Sequence, residues 1–189
     1  MIFALVTWQV VADGPLRAAD ERFGRTLFLR GPSRLAEVCA DLGSIVVAGP
    51  VLAAAVAYTF WRGRQWRPVF SAVLAVAAVP ALVIPLKAWT ARPGPLSTGT
   101  GWYPSGHTAT ATVAYCAAAL LLAPHVRRSP LPAAIALSTA AGIGLVLRGY
   151  HWPLDVAASY CLSVMLLTVS YRSTRRSSSR TPIGRSGPS

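Results

Sequence analysis

Apolar and small residues fill six stretches of the chain, and the charged residues are confined to the gaps between them. Ser44 to Trp61, Val69 to Leu86, Thr108 to Ala123, Leu131 to Leu147 and Val156 to Tyr171 are each about as long as a helix crossing a hydrocarbon core of roughly 30 Å. The sixth stretch, "MIFALVTWQVVA" at the start, is short for a span. It lacks both a basic leading region and a cleavage site, so it reads as a short first helix rather than a cleaved signal peptide. The pattern predicts an all-α, polytopic membrane bundle of about six transmembrane helices. Residues 1–171 would form the membrane-embedded domain, and 172–189 a basic, disordered cytoplasmic tail. Pro80 and Pro85 fall inside the third run, where neighbouring helices accommodate the kinks.

Composition agrees with a membrane solvent. Of 189 residues, 53% are hydrophobic and only 13% charged, with mean hydropathy +0.48, whereas a soluble domain carries roughly 25% charged residues. Cys39, Cys116 and Cys161 have no metal-ligand spacing and read as small core residues.

The net charge of +12 would suit nucleic acid, but its distribution points to a bilayer. Arg62, Arg64 and Arg67 lie between the second and third runs, and Arg127 and Arg128 between the fourth and fifth. Arg172, Arg175, Arg176, Arg180 and Arg185 follow the last. The connector from Asp13 to Asp41 mixes signs and is nearly neutral, as expected of an amphipathic segment lying at the interface. The positive-inside rule then puts both termini in the cytoplasm of a multi-pass cell-membrane protein. Its expected surroundings are membrane lipids, with no nucleic-acid partner.

That topology gathers the remaining polar residues on one extracytoplasmic rim: Lys87 with "TARPGP", the knot "YPSGH", and "RGYHWPLD". Ionisable groups at the edge of a membrane bundle point to a functional site. His151 and Asp155 are four apart around a helix start marked by Pro153. Asp155 can therefore accept from one ring nitrogen of His151 and leave the other free as base or nucleophile. Ser105 suits the N-cap of the fourth span, so the amides of Gly106 and His107 would point out of a helix N-terminus, where an anion binds readily. Lys87, Arg92 and Arg148 supply fixed positive charge, and phosphate fits such a set. Trp89, Trp102, Tyr103, Tyr150 and Trp152 surround this rim and read as an interfacial aromatic belt.

The order of Lys with Arg-Pro, then Pro-Ser-Gly-His, then His-x-x-x-Asp resembles the type 2 phosphatidic acid phosphatase superfamily, from about Lys87 to Asp155. The resemblance implies that His151 is a nucleophile forming a phosphohistidine, Asp155 its orienting carboxylate, and His107 the general acid. Lys87, Ser105 and Gly106 would hold the phosphate, and no metal or other cofactor is implied. Two positions depart from the family pattern. Gly94 stands where the first arginine belongs, and the guanidinium is two residues earlier at Arg92. Gly144 and Leu145 stand where Ser-Arg is usual, and an arginine appears three residues later at Arg148. Positions three apart share a helix face, so Arg148 is expected to reach the same phosphate if the fifth span continues that far.

The function these residues imply is a metal-independent lipid phosphate or pyrophosphate phosphohydrolase, acting on a phosphatidic-acid-like or polyprenyl substrate. A lipid phosphotransferase with the same site and a noncatalytic membrane protein that binds phospholipid head groups are the alternatives.

Overall fold

The computed structural model describes residues 1–28, 30, 33–63, 66–96 and 98–178, with the backbone alone for 173–178. Arg64 and the tail beyond 178 lie outside the described residues. The described chain is all-helical. After a short α1 (Ile2–Val11) come α2 (Pro15–Leu27) and α3 (Ser33–Asp41), and then the long α4 (Ile45–Gly63) and α5 (Trp66–Thr90). The remaining helices are α6 (Gly106–Leu122), α7 (Leu131–Leu147) and α8 (Pro153–Ser178).

The five long apolar runs are the five helices α4 to α8, and the expected sixth is the ten-residue α1. By length and hydropathy four of them can cross a membrane: α4, α5, α6 with its 3-10 extension to His125, and the Pro153–Arg172 part of α8. Helices α1 and α7 are shorter and equally apolar. The mixed-charge connector forms two amphipathic helices, α2 and α3. Helix α8 continues through 178, into the stretch expected to be disordered.

α6 is the axis of the bundle. It packs against α4, α5, α7 and α8, and twelve of its residues are buried, half of them alanines. In lipid there is little hydrophobic gain from bringing helices together, so small side chains that let backbones approach carry the association. Hydroxyls add cross-helix bonds: Ser159 Oγ donates to the Ser105 carbonyl at 2.8 Å, tying α8 to the start of α6. The outer faces of α4 and α5 expose Ile45, Val46, Trp61, Phe70, Leu74 and Ile84, as a lipid solvent permits. Pro50, Pro80 and Pro85 lie inside these helices.

α3 lies flat against α7, and Gly144 makes that approach possible. A Cβ at Gly144 would overlap the backbones of Ala36 and Ala40. The position that carries serine in the family pattern is thus closed to any side chain here. Gly144→Ala is expected to cost about 1–3 kcal/mol by forcing α3 off α7, which a lowered thermal unfolding midpoint in detergent would report.

Candidate active site

The end of α5, the start of α6, the end of α7 and the start of α8 meet at one end of the bundle. Each ends there for a local reason. After α5, Ala91 takes a left-handed φ of 42°, which costs a residue with a Cβ roughly 1–2 kcal/mol, and the next residue, Arg92, is fully buried. Ser105 caps α6 as expected, accepting from the Thr108 amide at 3.3 Å and from its hydroxyl at 3.0 Å. α7 stops in a Schellman turn: Gly149, at φ 68°, donates to the Val146 carbonyl, and Tyr150 to that of Leu145. α8 opens on Pro153, and its Leu154 amide donates to Asp20 Oδ1 at 2.9 Å.

His151 and Asp155 stand as the spacing predicted. Nδ1 of His151 is 3.2 Å from Asp155 Oδ2, and both side chains are buried. The same carboxylate oxygen accepts the Trp152 amide at 3.0 Å, and its other oxygen accepts from the Arg92 guanidinium at 2.6 Å. The Ser105 amide donates to the Asp155 carbonyl at 3.1 Å, so the caps of α6 and α8 are fastened to each other.

His107 is exposed toward a cavity of about 260 Å³, whose wall it shares with His151, Trp102, Tyr150, Leu145 and, from α3, Asp41. His107 also borders a second, larger cavity of about 570 Å³ between α4, α5 and α6. That cavity has Lys87 and Gly106 at the same end and an apolar lining that includes Val76, Val79, Pro80 and Val83. Its rim residues Ile45 and Ile84 are exposed on the outer face of the bundle. Trp102 lies near both Lys87 and His151: the ammonium is 5.9 Å from its ring centre, and the imidazole centre 5.5 Å.

The two arginines are placed otherwise than the sequence suggested. Arg92 gives one nitrogen to Asp155 and another to Asp20 Oδ2 at 2.8 Å, with Glu21 3.6 Å away. Burial opposes its charge, but Asp155 and Asp20 outweigh burial and raise its pKa. Burial likewise pushes the Asp20 carboxyl above its ordinary range, against the pull of Arg92. Arg148 caps α7, one residue past its last turn. It pairs with Glu37 of α3 and lies 5.8 Å from the Tyr150 ring, outside the wall of the histidine cavity. The fifth span ends at Leu147, its cap Arg148 is turned to Glu37, and Leu145 faces the cavity.

Two members of the expected aromatic belt are interior instead. Trp152 donates to the Pro93 carbonyl at 3.0 Å and packs on Phe28. Tyr103 is fully buried with its hydroxyl 2.8 Å from that of Thr7, and burial pushes its pKa up to about 12. Asp20 was not anticipated as a member of the cluster. The signal for it was the charge map: apart from Asp155, every acidic residue of the chain lies between Asp13 and Asp41, in the connector on the same rim as the site.

The PAP2 superfamily model matches residues 96–179, the part of the chain that holds His107, His151 and Asp155. No curated protein sequence matches significantly. The fold is similar to that of a transmembrane PAP2-type phosphatidylglycerolphosphate phosphatase from Bacillus subtilis. The TM-score is 0.79 at 21% identity, over 98% of this chain and 97% of that one. It is also similar to LpxE from Aquifex aeolicus, with a TM-score of 0.65 at 22% identity over 80% and 93% of the two chains. Over residues 96–179 the chain is similar to the PAP2 superfamily, and its fold is that of membrane proteins of the PAP2 type.

Proposed function

We propose that this protein is an integral-membrane lipid phosphatase that releases phosphate from a lipid phosphate or pyrophosphate without a metal ion, through a phosphohistidine on His151. The observation that carries the reading is the position of His107 on the shared wall of two cavities. One holds His151 with Asp41 and Ser44; the other is lined mainly by aliphatic side chains, opens between helices, and has Lys87 at the same end. A phosphorylated lipid has the matching division, and its phosphate would lie against the two histidines while its chain runs between α4 and α5.

In this reading the His151 Nδ1–H donates to Asp155, leaving the Nε2 lone pair to attack phosphorus. The bond from phosphorus to the lipid oxygen breaks, and that oxygen takes a proton from His107. Water then attacks phosphorus, giving a proton to His107, and the phosphorus–nitrogen bond breaks to release phosphate and regenerate His151. Lys87 and the free amides at the start of α6 stabilise the phosphoryl charge. Both termini are placed on the cytoplasmic side. Arg62, Arg67, Arg127, Arg128 and Arg172 sit at or beside the helix ends remote from the histidines, which supports this orientation.

The purified protein in detergent with EDTA is expected to release phosphate from phosphatidic acid or a polyprenyl pyrophosphate, with orthovanadate inhibiting. Equal turnover by wild type and His151→Ala across such a lipid panel would end the reading. His107→Ala should lower kcat by about 10²–10⁴-fold. Because His151 must be unprotonated and His107 protonated, the pH–rate profile is expected to be bell-shaped, with the acidic limb reporting His151 and the alkaline limb His107. Lys87→Ala should raise KM at least about tenfold, the size of one lost charge-assisted contact, whereas Arg148→Ala, paired away with Glu37, should leave kcat and KM within about twofold.

A further inference from the structure

Arg92 lies where the sequence offers a phosphate ligand, but its guanidinium is committed elsewhere. It is fully buried, with one nitrogen 2.6 Å from Asp155 and another 2.8 Å from Asp20, and Asp20 is itself buried. Turning Arg92 onto a phosphate would strand two buried carboxylates, and removing one partner of a buried pair is strongly unfavourable. The network continues from Asp20 in two directions: one oxygen holds Arg92, and the other receives the Leu154 amide in the first turn of α8, one residue ahead of Asp155. Asp20 thus fixes both the helix that carries the orienting carboxylate and the cation that faces it.

We propose that Arg92 and Asp20 are positioning residues for the His151–Asp155 pair, with Asp20 setting how much of the Arg92 charge falls on Asp155. The inference rests on the phosphatase reading above. Asp155 must both hold the His151 ring and stabilise the positive charge that ring acquires as it attacks. A cation sharing Asp155 weakens that second effect, and an anion sharing the cation restores it. The groups around the His151 ring are Asp155 on its own helix, His107 on α6, Asp41 on α3, Tyr150 in the preceding loop, and Lys87 across Trp102. Among the described residues Arg92, with Asp20 and Glu21 behind it, is the cation in direct contact with Asp155, and Lys87 acts on Asp155 from farther off. Glu21 is a weaker partner at 3.6 Å.

The test is the pH–rate profile of the full-length protein in detergent micelles, with phosphatidic acid and a polyprenyl pyrophosphate as substrates. Wild type is compared with Asp20→Asn, Arg92→Gln, Arg92→Lys and His151→Ala. Asp20→Asn keeps an oxygen for the Leu154 amide but leaves Arg92 to Asp155, with Glu21 as its one weaker anionic partner among the described residues. Its kcat is expected to fall about tenfold, as for other groups that orient a reacting side chain, with KM within about twofold. Its acidic limb should move to lower pH, by on the order of one unit for a single charge at this range. Arg92→Gln should move that limb to higher pH, and Arg92→Lys, which keeps the charge, should leave it near wild type. Limbs that stay in place while kcat falls, or that move the same way in both variants, assign the two residues to folding alone and overturn the inference. A tenfold rise of KM in Arg92→Lys with an unmoved limb makes Arg92 a phosphate ligand and also overturns it. Should Arg92→Gln not fold, the direction of the Asp20→Asn shift decides by itself. Wild-type turnover no higher than that of His151→Ala on both substrates removes the phosphatase reading and this inference with it, whereas unmoved limbs with turnover intact remove the inference alone.

Discussion

Asp155 places a carboxylate in the interior of the bundle, where water cannot reach it. An uncompensated charge in such a place is costly enough that a carboxyl would sooner take up a proton. Three donors keep Asp155 supplied: the His151 ring, the Trp152 amide, and above all the Arg92 guanidinium. Arg92 in turn is held by Asp20, so a chain of alternating charges runs from α2 through the loop after α5 to α8. A buried pair of this kind adds little net stability over an apolar alternative, but it fixes geometry, because any misalignment strands a charge. In this protein the pair adjoins the ring of His151.

That constraint reaches parts of the chain that carry no recognisable motif. α2 and α3 are amphipathic segments that a sequence reading assigns to the membrane interface, and their exposed Phe23, Leu35 and Val38 suit that location. Yet α2 supplies the carboxylate that caps α8, and α3 supplies Asp41 to the wall of the histidine cavity and Glu37 to Arg148. The N-terminal helices therefore close one side of the site as well as lying beside it.

Much of this was legible in advance, and what was missed has a physical reason. Long apolar runs report helices because backbone groups in lipid have no other partner, and all five such runs are helices. Local spacing placed the Ser105 cap and the contact of His151 with Asp155, since both are set within one turn. The partners of Arg92 and Arg148 were not legible, because they lie 72 and 111 residues away along the chain and no periodicity links them. Trp152 and Tyr103 were misread for a related cause: an aromatic near a membrane edge has the same composition signal whether it faces lipid or the interior. The Schellman turn at Gly149 ends α7 and leaves Arg148 beside Glu37.

His107 borders both chambers, which bears on where each product of the proposed reaction would go. On the proposed mechanism the fragment that receives its proton is the one bearing the hydrocarbon, already lodged among α4, α5 and α6. The mineral fragment remains on the far side, against His151. The two halves of a cleaved substrate would then leave through different doors, one sideways into the bilayer and one straight into water, and neither needs to pass the other.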